Sequence, residues 1–150
     1  MKVAVGSDHA GFELKQKVKE YLAETGIEVE DLGTVSTESV DYPDFAEKVA
    51  VEVREGRADR GILMCGTGVG VCIAANKLHG IRAALVSDPE IARLSREHND
   101  ANVLCLPGRF MEPAAARAVV KTWLETPFAG GRHERRVEKI AQLEREESAR

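Results

Sequence analysis

The chain has 150 residues, 43% of them hydrophobic and 31% charged, with a formal net charge of −4. That length suits one domain, long enough to bury a core without metals or disulfides, and the composition argues against a disordered chain. The acidic balance excludes a surface built to grip nucleic acid all over, although it leaves room for a local basic patch.

In chain order the pattern alternates between strand and helix. Lys2–Gly6 is a short β-branched strand. Gly11–Thr25 has helical spacing, with Phe12, Leu14, Val18, Tyr21 and Leu22 on one broad apolar face and Gly26 as the stop. Ile27–Leu32 alternates apolar and acidic residues and reads as a half-exposed strand, followed by a polar loop over Thr34–Tyr42. Pro43 fits the first turn of a helix that runs to about Glu55 and closes at Gly56. Gly61–Met64 is a third strand, Gly68 to Leu78 a third helix, and Arg82–Val86 a fourth strand. Asp88 and Pro89 read as N-cap and first helical residue of a helix reaching Glu97. Asn102–Leu106 is a fifth strand and Glu112–Leu124 a fifth helix. After Pro127 and the Gly130-Gly131 break, a last charged helix carries only a thin apolar stripe of Val137, Ile140 and Ala141. Such a helix lies across a surface, a partner subunit's being one candidate, and does not enter the main core.

This alternation predicts an α/β fold: one domain over 1–150, a three-layer, doubly wound, Rossmann-like parallel sheet of five strands with an extra C-terminal helix. There is no internal repeat and no interdomain linker. The three cysteines, at 65, 72 and 105, form no CxxC, so neither a disulfide framework nor a zinc ribbon is indicated. The four histidines show no HExxH spacing, and no metal site is expected. The N-terminal apolar run is too short for a signal peptide, and none approaches the roughly 18–20 residues that span a bilayer. A cytoplasmic protein in a reducing compartment is expected.

Ligands of open α/β sheets sit beyond the carboxyl ends of the strands. That rule selects Ser7-Asp8-His9-Ala10-Gly11 after the first strand, Cys65 and its glycines after the third, and Pro107-Gly108-Arg109 after the fifth. The run Cys65-Gly66-Thr67-Gly68-Val69-Gly70 is the most informative. It places a thiol beside backbone N–H groups at a helix start, where anions are favoured and a thiol pKa falls. Val71 stands where a dinucleotide fingerprint needs glycine, and no Gly-Lys-Ser/Thr follows, so NAD or ATP has little support. A compact anion, such as a sugar phosphate or an enediolate, suits the loop better.

Each candidate has a plainer reading. Cys65 alone reads as a small buried hydrophobe, and the adjoining glycines favour the reactive reading. Cys72 and Cys105 read as packing residues. His98, in the polar run Ser95-Arg96-Glu97-His98-Asn99-Asp100, is either a histidine favoured at a helix C-terminus or an acid–base group. Asp8 and His9 are either a cap-and-turn pair or site residues. Arg132 and Arg136, at i and i+4, form either a solvated face or a clamp for a phosphate dianion.

Taken together these residues resemble the B-type ribose-5-phosphate isomerase family, which includes galactose-6-phosphate isomerase subunits. The matching runs are Gly6-Ser7-Asp8-His9-Ala10-Gly11, Asp41-Tyr42-Pro43, Cys65-Gly66-Thr67-Gly68-Val69-Gly70, Ala75-Asn76-Lys77, Ser95-Arg96-Glu97-His98-Asn99-Asp100 and Gly131-Arg132-His133. They span almost the whole chain. The resemblance implies interconversion of ribose 5-phosphate and ribulose 5-phosphate through an enediolate, in the non-oxidative branch of the pentose phosphate pathway, with no cofactor and no metal. It implies Cys65 as the base between C1 and C2, and Gly66, Thr67, Gly68, Val69 and Gly70 as the cradle of the enediolate. It gives His98 ring opening, Asp8 and Asn99 the sugar hydroxyls, and Tyr42 the pocket wall. His9, Arg109, Arg132 and Arg136 would surround the phosphate, some from a neighbouring subunit. A homodimer or dimer of dimers with shared active sites follows, the helix at about 131–148 packing on the partner, with no nucleic-acid or membrane partner. One branch of the family lacks the cysteine and carries glutamate at the position of Val71, so this chain falls in the cysteine branch.

Three alternatives stay open at this point. One is a six-carbon substrate, allose 6-phosphate or galactose 6-phosphate. Another is a non-catalytic sugar-phosphate sensor, which the presence of both Cys65 and His98 disfavours. The last is a thiol-redox role, which lacks a resolving cysteine near Cys65 in sequence.

Overall fold

Along the inner strands, successive side chains serve opposite layers of the protein. Val3 and Val5, Ile62 and Met64, Leu104 and Leu106 point to one face of the sheet; Ala4, Leu63, Cys65, Val103 and Cys105 point to the other. This is the period-two geometry of a strand buried on both sides. The computed structural model describes residues 1–150. Its elements are β1 (Lys2–Ser7), α1 (Phe12–Glu24), β2 (Glu28–Asp31), α2 (Tyr42–Arg54), β3 (Arg60–Cys65), α3 (Val69–Ala75), β4 (Ala83–Leu85), α4 (Pro89–Asn99), β5 (Val103–Pro107), α5 (Pro113–Glu125) and α6 (Arg132–Ser148).

The five strands are parallel and stand in the order β2-β1-β3-β5-β4. The fold is therefore the doubly wound α/β sheet that the alternation predicts. Right-handed crossovers explain which helix covers which face: a connection that travels the opposite way along the sheet puts its helix on the opposite side. Helices α1, α4 and α5 pack on one face around fully buried Trp123. Helices α2 and α3 pack on the other, around Val49, Leu63, Val71 and Cys105. No helix is long and apolar enough to cross a membrane.

One difference from the expected boundaries matters. The third helix spans only Val69–Ala75, short of Leu78. Asn76 ends it, its side chain occupied with β4: Oδ1 accepts from the Ala83 N–H at 2.8 Å and Nδ2 donates to the Ala83 carbonyl at 3.0 Å. The amide thus covers part of an open sheet edge. The last helix, α6, has no buried residue. Within the chain it is tied down through Glu144, which accepts from the Gly80 N–H at 2.6 Å, and through Ser148 beside His79 at 2.8 Å.

Candidate active site

At the carboxyl edge of the sheet the chain makes three crossings within a few ångströms. The Asp8 N–H donates to the Met64 carbonyl at 3.3 Å, the Gly108 N–H to the Cys65 carbonyl at 2.8 Å, and the Arg109 N–H to the Gly66 carbonyl at 3.0 Å. The turns after β1, β3 and β5 are thereby stitched into one surface, as the carboxyl-end rule requires. Asp8, His9, Cys65, the glycine loop and Arg109 meet there, and Tyr42 joins from the start of α2.

Cys65 ends β3 with its residue 5% exposed. Beside it, the N–H groups of Gly66, Thr67, Gly68, Gly70 and Val71 make no hydrogen bond within the protein; that of Val69 is taken by Thr67 Oγ1 at 3.2 Å. Such a row of donors is a cradle for negative charge. The backbone shape depends on glycine at two points. Gly68 has φ +77, and a Cβ there would lie 3.0 Å from the Leu106 carbonyl carbon. A Cβ on Gly70 would lie 2.5 Å from the Tyr42 ring, so the tyrosine closes against bare backbone. Because α3 is a short helix, the individual amides, more than a long helix dipole, set the local potential.

Asp8 holds the turn ahead of α1, whose N-cap is Gly11, and is also a candidate ligand. Its Oδ1 accepts from the N–H groups of Ala10 at 2.9 Å and Gly11 at 3.0 Å, while Oδ2 has no protein partner. His9 Nδ1 accepts from the Val40 N–H at 3.2 Å, which leaves Nε2 to carry the proton of the neutral ring. The Arg109 guanidinium lies 3.4 Å from where a Gly66 Cβ would stand.

His98, Asn99, Arg132 and Arg136 do not join this group within one chain. Helix α4 leaves the carboxyl edge at its N-cap, Asp88, and its 11 residues run about 16 Å back to the start of β5. His98 and Asn99 therefore sit at the amino edge. There Arg96 anchors the helix end, donating to the carbonyls of Ala101 at 2.7 Å and Thr126 at 3.0 Å and to Asp100 at 2.9 Å. Arg82 Nε, just ahead of β4, donates to the Asp100 carbonyl at 2.8 Å. The same edge receives the start of α6: the Ala129 N–H donates to the Glu97 carbonyl at 3.2 Å, and the His133 ring stacks on His98 with centroids 4.2 Å apart. Burial, then His98, Arg132 and Arg136, push the His133 pKa below its usual value. Within one chain the polar run around His98 does not meet the Cys65 loop, because a crossover helix ends at the opposite edge from where it starts.

Most arginines of the chain are paired with carboxylates; the candidate site arginines are not, a state they share with Arg60 and Arg135. Arg82, Arg93, Arg96 and Arg117 each reach a carboxylate, whereas Arg109, Arg132 and Arg136 have no acidic partner. An unpaired guanidinium is free to take an anion.

Two features carry no marker that single-residue reasoning finds. The stacking of His133 follows from its place one residue after Arg132, in the first turn of α6. Cys72 is more than packing: its Sγ lies 3.5 Å from the Ala83 carbonyl, and hydrogen bonding with Cys105, opposed by burial and aided by the Leu85 backbone, lowers its pKa to about 7. Cys105, fully buried beside it, is pushed well above the usual thiol range. All three cysteines are free. No group of three or more His, Cys, Asp or Glu side chains is placed to hold a metal ion.

A thiol and a fan of free amides at the carboxyl edge of a parallel α/β sheet define an enzyme that works on small anionic substrates. Residues 3–140 match the family described as Ribose/Galactose Isomerase. The ribose-5-phosphate isomerase B of Escherichia coli (strain K12) is 50% identical over 143 residues, covering 95% of this chain and 96% of that protein. The solved ribose-5-phosphate isomerase B of Clostridium thermocellum is 52% identical with a TM-score of 0.96, covering 97% of this chain and 99% of that one. That of Mycoplasma genitalium, solved with bound ribulose-5-phosphate, is 46% identical with a TM-score of 0.93, covering 97% of each chain. The chain belongs to the ribose/galactose isomerase family. It is an isomerase enzyme.

Proposed function

We propose that the chain interconverts ribose 5-phosphate and ribulose 5-phosphate with Cys65 as the base, at a site completed by a second copy of itself. The observation that carries this reading is the juxtaposition at the end of β3: one thiol with five unpaired peptide N–H groups beside it. Aldose–ketose isomerisation needs a proton removed from C2 of the open-chain aldose and delivered to C1. The hydrogen is weakly acidic, so the oxygen that gains charge must be stabilised in place. Preorganised amides do this, and removing one such donor costs about 10²–10³ in rate. A thiolate with a free pKa of about 8.5 is basic enough to take the proton and weak enough to exist near neutral pH.

The substrate's other groups match what surrounds the thiol. Asp8 Oδ2 and Tyr42 face the sugar hydroxyls, and His9 and Arg109 supply donors for the phosphate. The phosphate does not react; its binding energy holds C1 and C2 against the thiol. His98 of the second copy protonates the furanose ring oxygen, Asn99 holds a hydroxyl, and Arg132 and Arg136 close on the phosphate. Support for a second copy comes from the rim of the carboxyl edge, where Tyr42, Val69, Ile73, Leu85 and Phe110 all stand exposed, Phe110 at 75%. Apolar side chains gathered around a polar site mark a surface that another chain covers. Helix α6, with Ile140 and Leu143 uncovered, is the complementary element. An isologous pair makes both contacts twice and builds two sites. Free thiols suit a reducing compartment, and we place the enzyme in the cytoplasm.

The direct experiment is conversion of ribose 5-phosphate by the purified chain, with Cys65→Ala alongside. Losing the base lowers kcat by about 10²–10⁴ and leaves sugar-phosphate binding within a few-fold. Near-wild-type turnover in that variant would remove Cys65 from the chemistry.

A further inference from the structure

We infer that Asp31 is a positioning residue for this reaction: through the segment 33–40 it fixes the tautomer of His9 and the aim of its remaining N–H toward the substrate phosphate. The inference rests on the reading of His9 as a phosphate donor.

It begins with a buried cation. The Lys15 side chain, on the inner face of α1, is 1% exposed. An ammonium that deep needs an anion beside it. Asp31, at the end of β2, supplies one, with Oδ1 2.7 Å and Oδ2 2.8 Å from Lys15 Nζ. Lys19 reaches Oδ2 from the solvent side at 2.7 Å. Burial opposes the charge on Asp31, but hydrogen bonds from Lys15, Lys19 and Gly33 outweigh it and hold the carboxyl below its usual range. The group therefore stays an acceptor, and its Oδ1 also takes the Gly33 N–H at 2.9 Å.

Gly33 and Thr34 are the point where this strand end grips β1. The Ser7 N–H donates to the Gly33 carbonyl at 2.6 Å, and the Thr34 N–H donates to the Ser7 carbonyl at 2.7 Å. Ser7 directly precedes Asp8 and His9. Beyond Thr34 the chain runs through mostly exposed residues to Val40. The Val40 N–H then donates to His9 Nδ1. A ring nitrogen that accepts carries no proton, so the neutral imidazole is protonated on Nε2. The span 35–39 is thus tethered by the Asp31-held Gly33–Thr34 pair at one end and by His9 at the other. Releasing the first tether lets Val40 drift from the ring, both tautomers are sampled, and a donor to the phosphate is lost for part of the time.

The test uses the full chain, steady-state kinetics, and ¹⁵N NMR of the His9 imidazole. Lys15→Met combined with Asp31→Ala removes the ion pair without stranding a buried charge. It is expected to raise KM about tenfold, to hold kcat within about threefold, and to mix the His9 tautomers. Lys15→Met with Asp31→Asn returns an acceptor to the Gly33 N–H without the charge, and it restores both KM and the single tautomer. A purely structural ion pair would lower thermal stability in both variants and move neither reading. His9→Ala raises KM by a similar factor, and adding the first pair to it raises KM no further. If His9→Ala raises KM while Lys15→Met/Asp31→Ala keeps the wild-type KM and tautomer, the proposal is overturned. If His9→Ala leaves KM unchanged, the phosphate role of His9 fails instead, and a changed tautomer in the paired variant still supports the positioning link. The wild-type spectrum decides even if the paired variant does not fold, since a proton on Nδ1 removes the link outright.

Discussion

The two edges of the sheet are built on different plans. At the carboxyl edge, backbone does the work: glycines let three turns cross closely, peptide N–H groups stand free, and Asp8 and His9 are oriented by main-chain bonds. At the amino edge, side chains do it. Arg96 anchors the end of α4 by bonds to Asp100, Ala101 and Thr126, and His98 stacks on His133 beside unpaired Arg132. The first edge offers a base and a cradle but few positive side chains. The second offers a histidine, the acid of the proposed reaction, and a cluster of guanidiniums but no cradle. In the proposed reaction neither edge suffices alone to move a proton on a phosphorylated sugar, and each would supply what the other lacks. On the proposed reading each edge is half a site, and a two-fold pairing of two copies would complete it twice over.

The largest effect that can break this comparison comes from mixing variants. Cys65→Ala and His98→Ala are each expected to be nearly inactive alone. Unfolded together and refolded in equal amounts, they form mixed pairs in which one site holds both intact groups and the other holds neither. Random pairing then restores about a quarter of wild-type activity. A mixture that stays as dead as its components would mean that one chain brings the two groups together itself, and the two-edge account would be wrong.

A smaller effect sharpens the division of labour. If Arg132 holds the phosphate as proposed, Arg132→Ala removes a charge-assisted contact to a group that does not react, and such contacts are worth about 1.5–3 kcal/mol. KM is expected to rise by about 10- to 150-fold with kcat changed far less. The readout is saturation kinetics in ribose 5-phosphate. An unchanged KM would take Arg132, and with it the amino edge of α6, out of the site. Gly70→Ala tests the opposite edge in the same assay. Its methyl would meet the Tyr42 ring at 2.5 Å, so either the ring or the loop must move. A fall in kcat of about tenfold, a fraction of one lost oxyanion donor, is expected. Wild-type kinetics would show that the tyrosine does not close on the cradle.

Much of the fold is legible in the sequence, and for identifiable reasons. Strand–helix alternation and the runs Val3-Ala4-Val5 and Val103-Leu104-Cys105-Leu106 are enough to indicate a parallel sheet, because only a strand covered on both faces tolerates unbroken apolar sequence. No local pattern sets the exchange of β4 and β5 in the strand order, although their burial carries the signal: β5 is buried throughout and β4 is not. The carboxyl-edge residues are legible because the position of a turn after a strand is a local property. The place of His98 requires one step more. A helix of 11 residues returns the chain to the amino edge, so a residue at its end belongs to the other side of the domain. The Lys15–Asp31 pair and the contact between Cys72 and Cys105 are invisible in the sequence for a different reason. They join residues on different elements through the packing of the domain, and nothing local marks a lysine or a cysteine for burial.

The smallest effect concerns the thiols, which differ although they share one face of the sheet. Cys72 titrates at about 7, through its hydrogen bond with Cys105 against the cost of burial, so its thiolate fraction falls about tenfold per pH unit below that. Cys105 stays protonated and out of reach. Iodoacetamide is therefore expected to label Cys72 with a midpoint near its pKa, independent of sugar phosphate, while labelling of Cys65 is blocked by it. Cys72→Ser keeps a donor toward the Ala83 carbonyl and should retain kcat within about threefold. Mass spectrometry of the labelled chain, with and without ribose 5-phosphate, separates the cases. Protection of Cys72 in place of Cys65 would move the chemistry from the end of β3 to the body of α3, where no row of free amides exists to hold the developing charge.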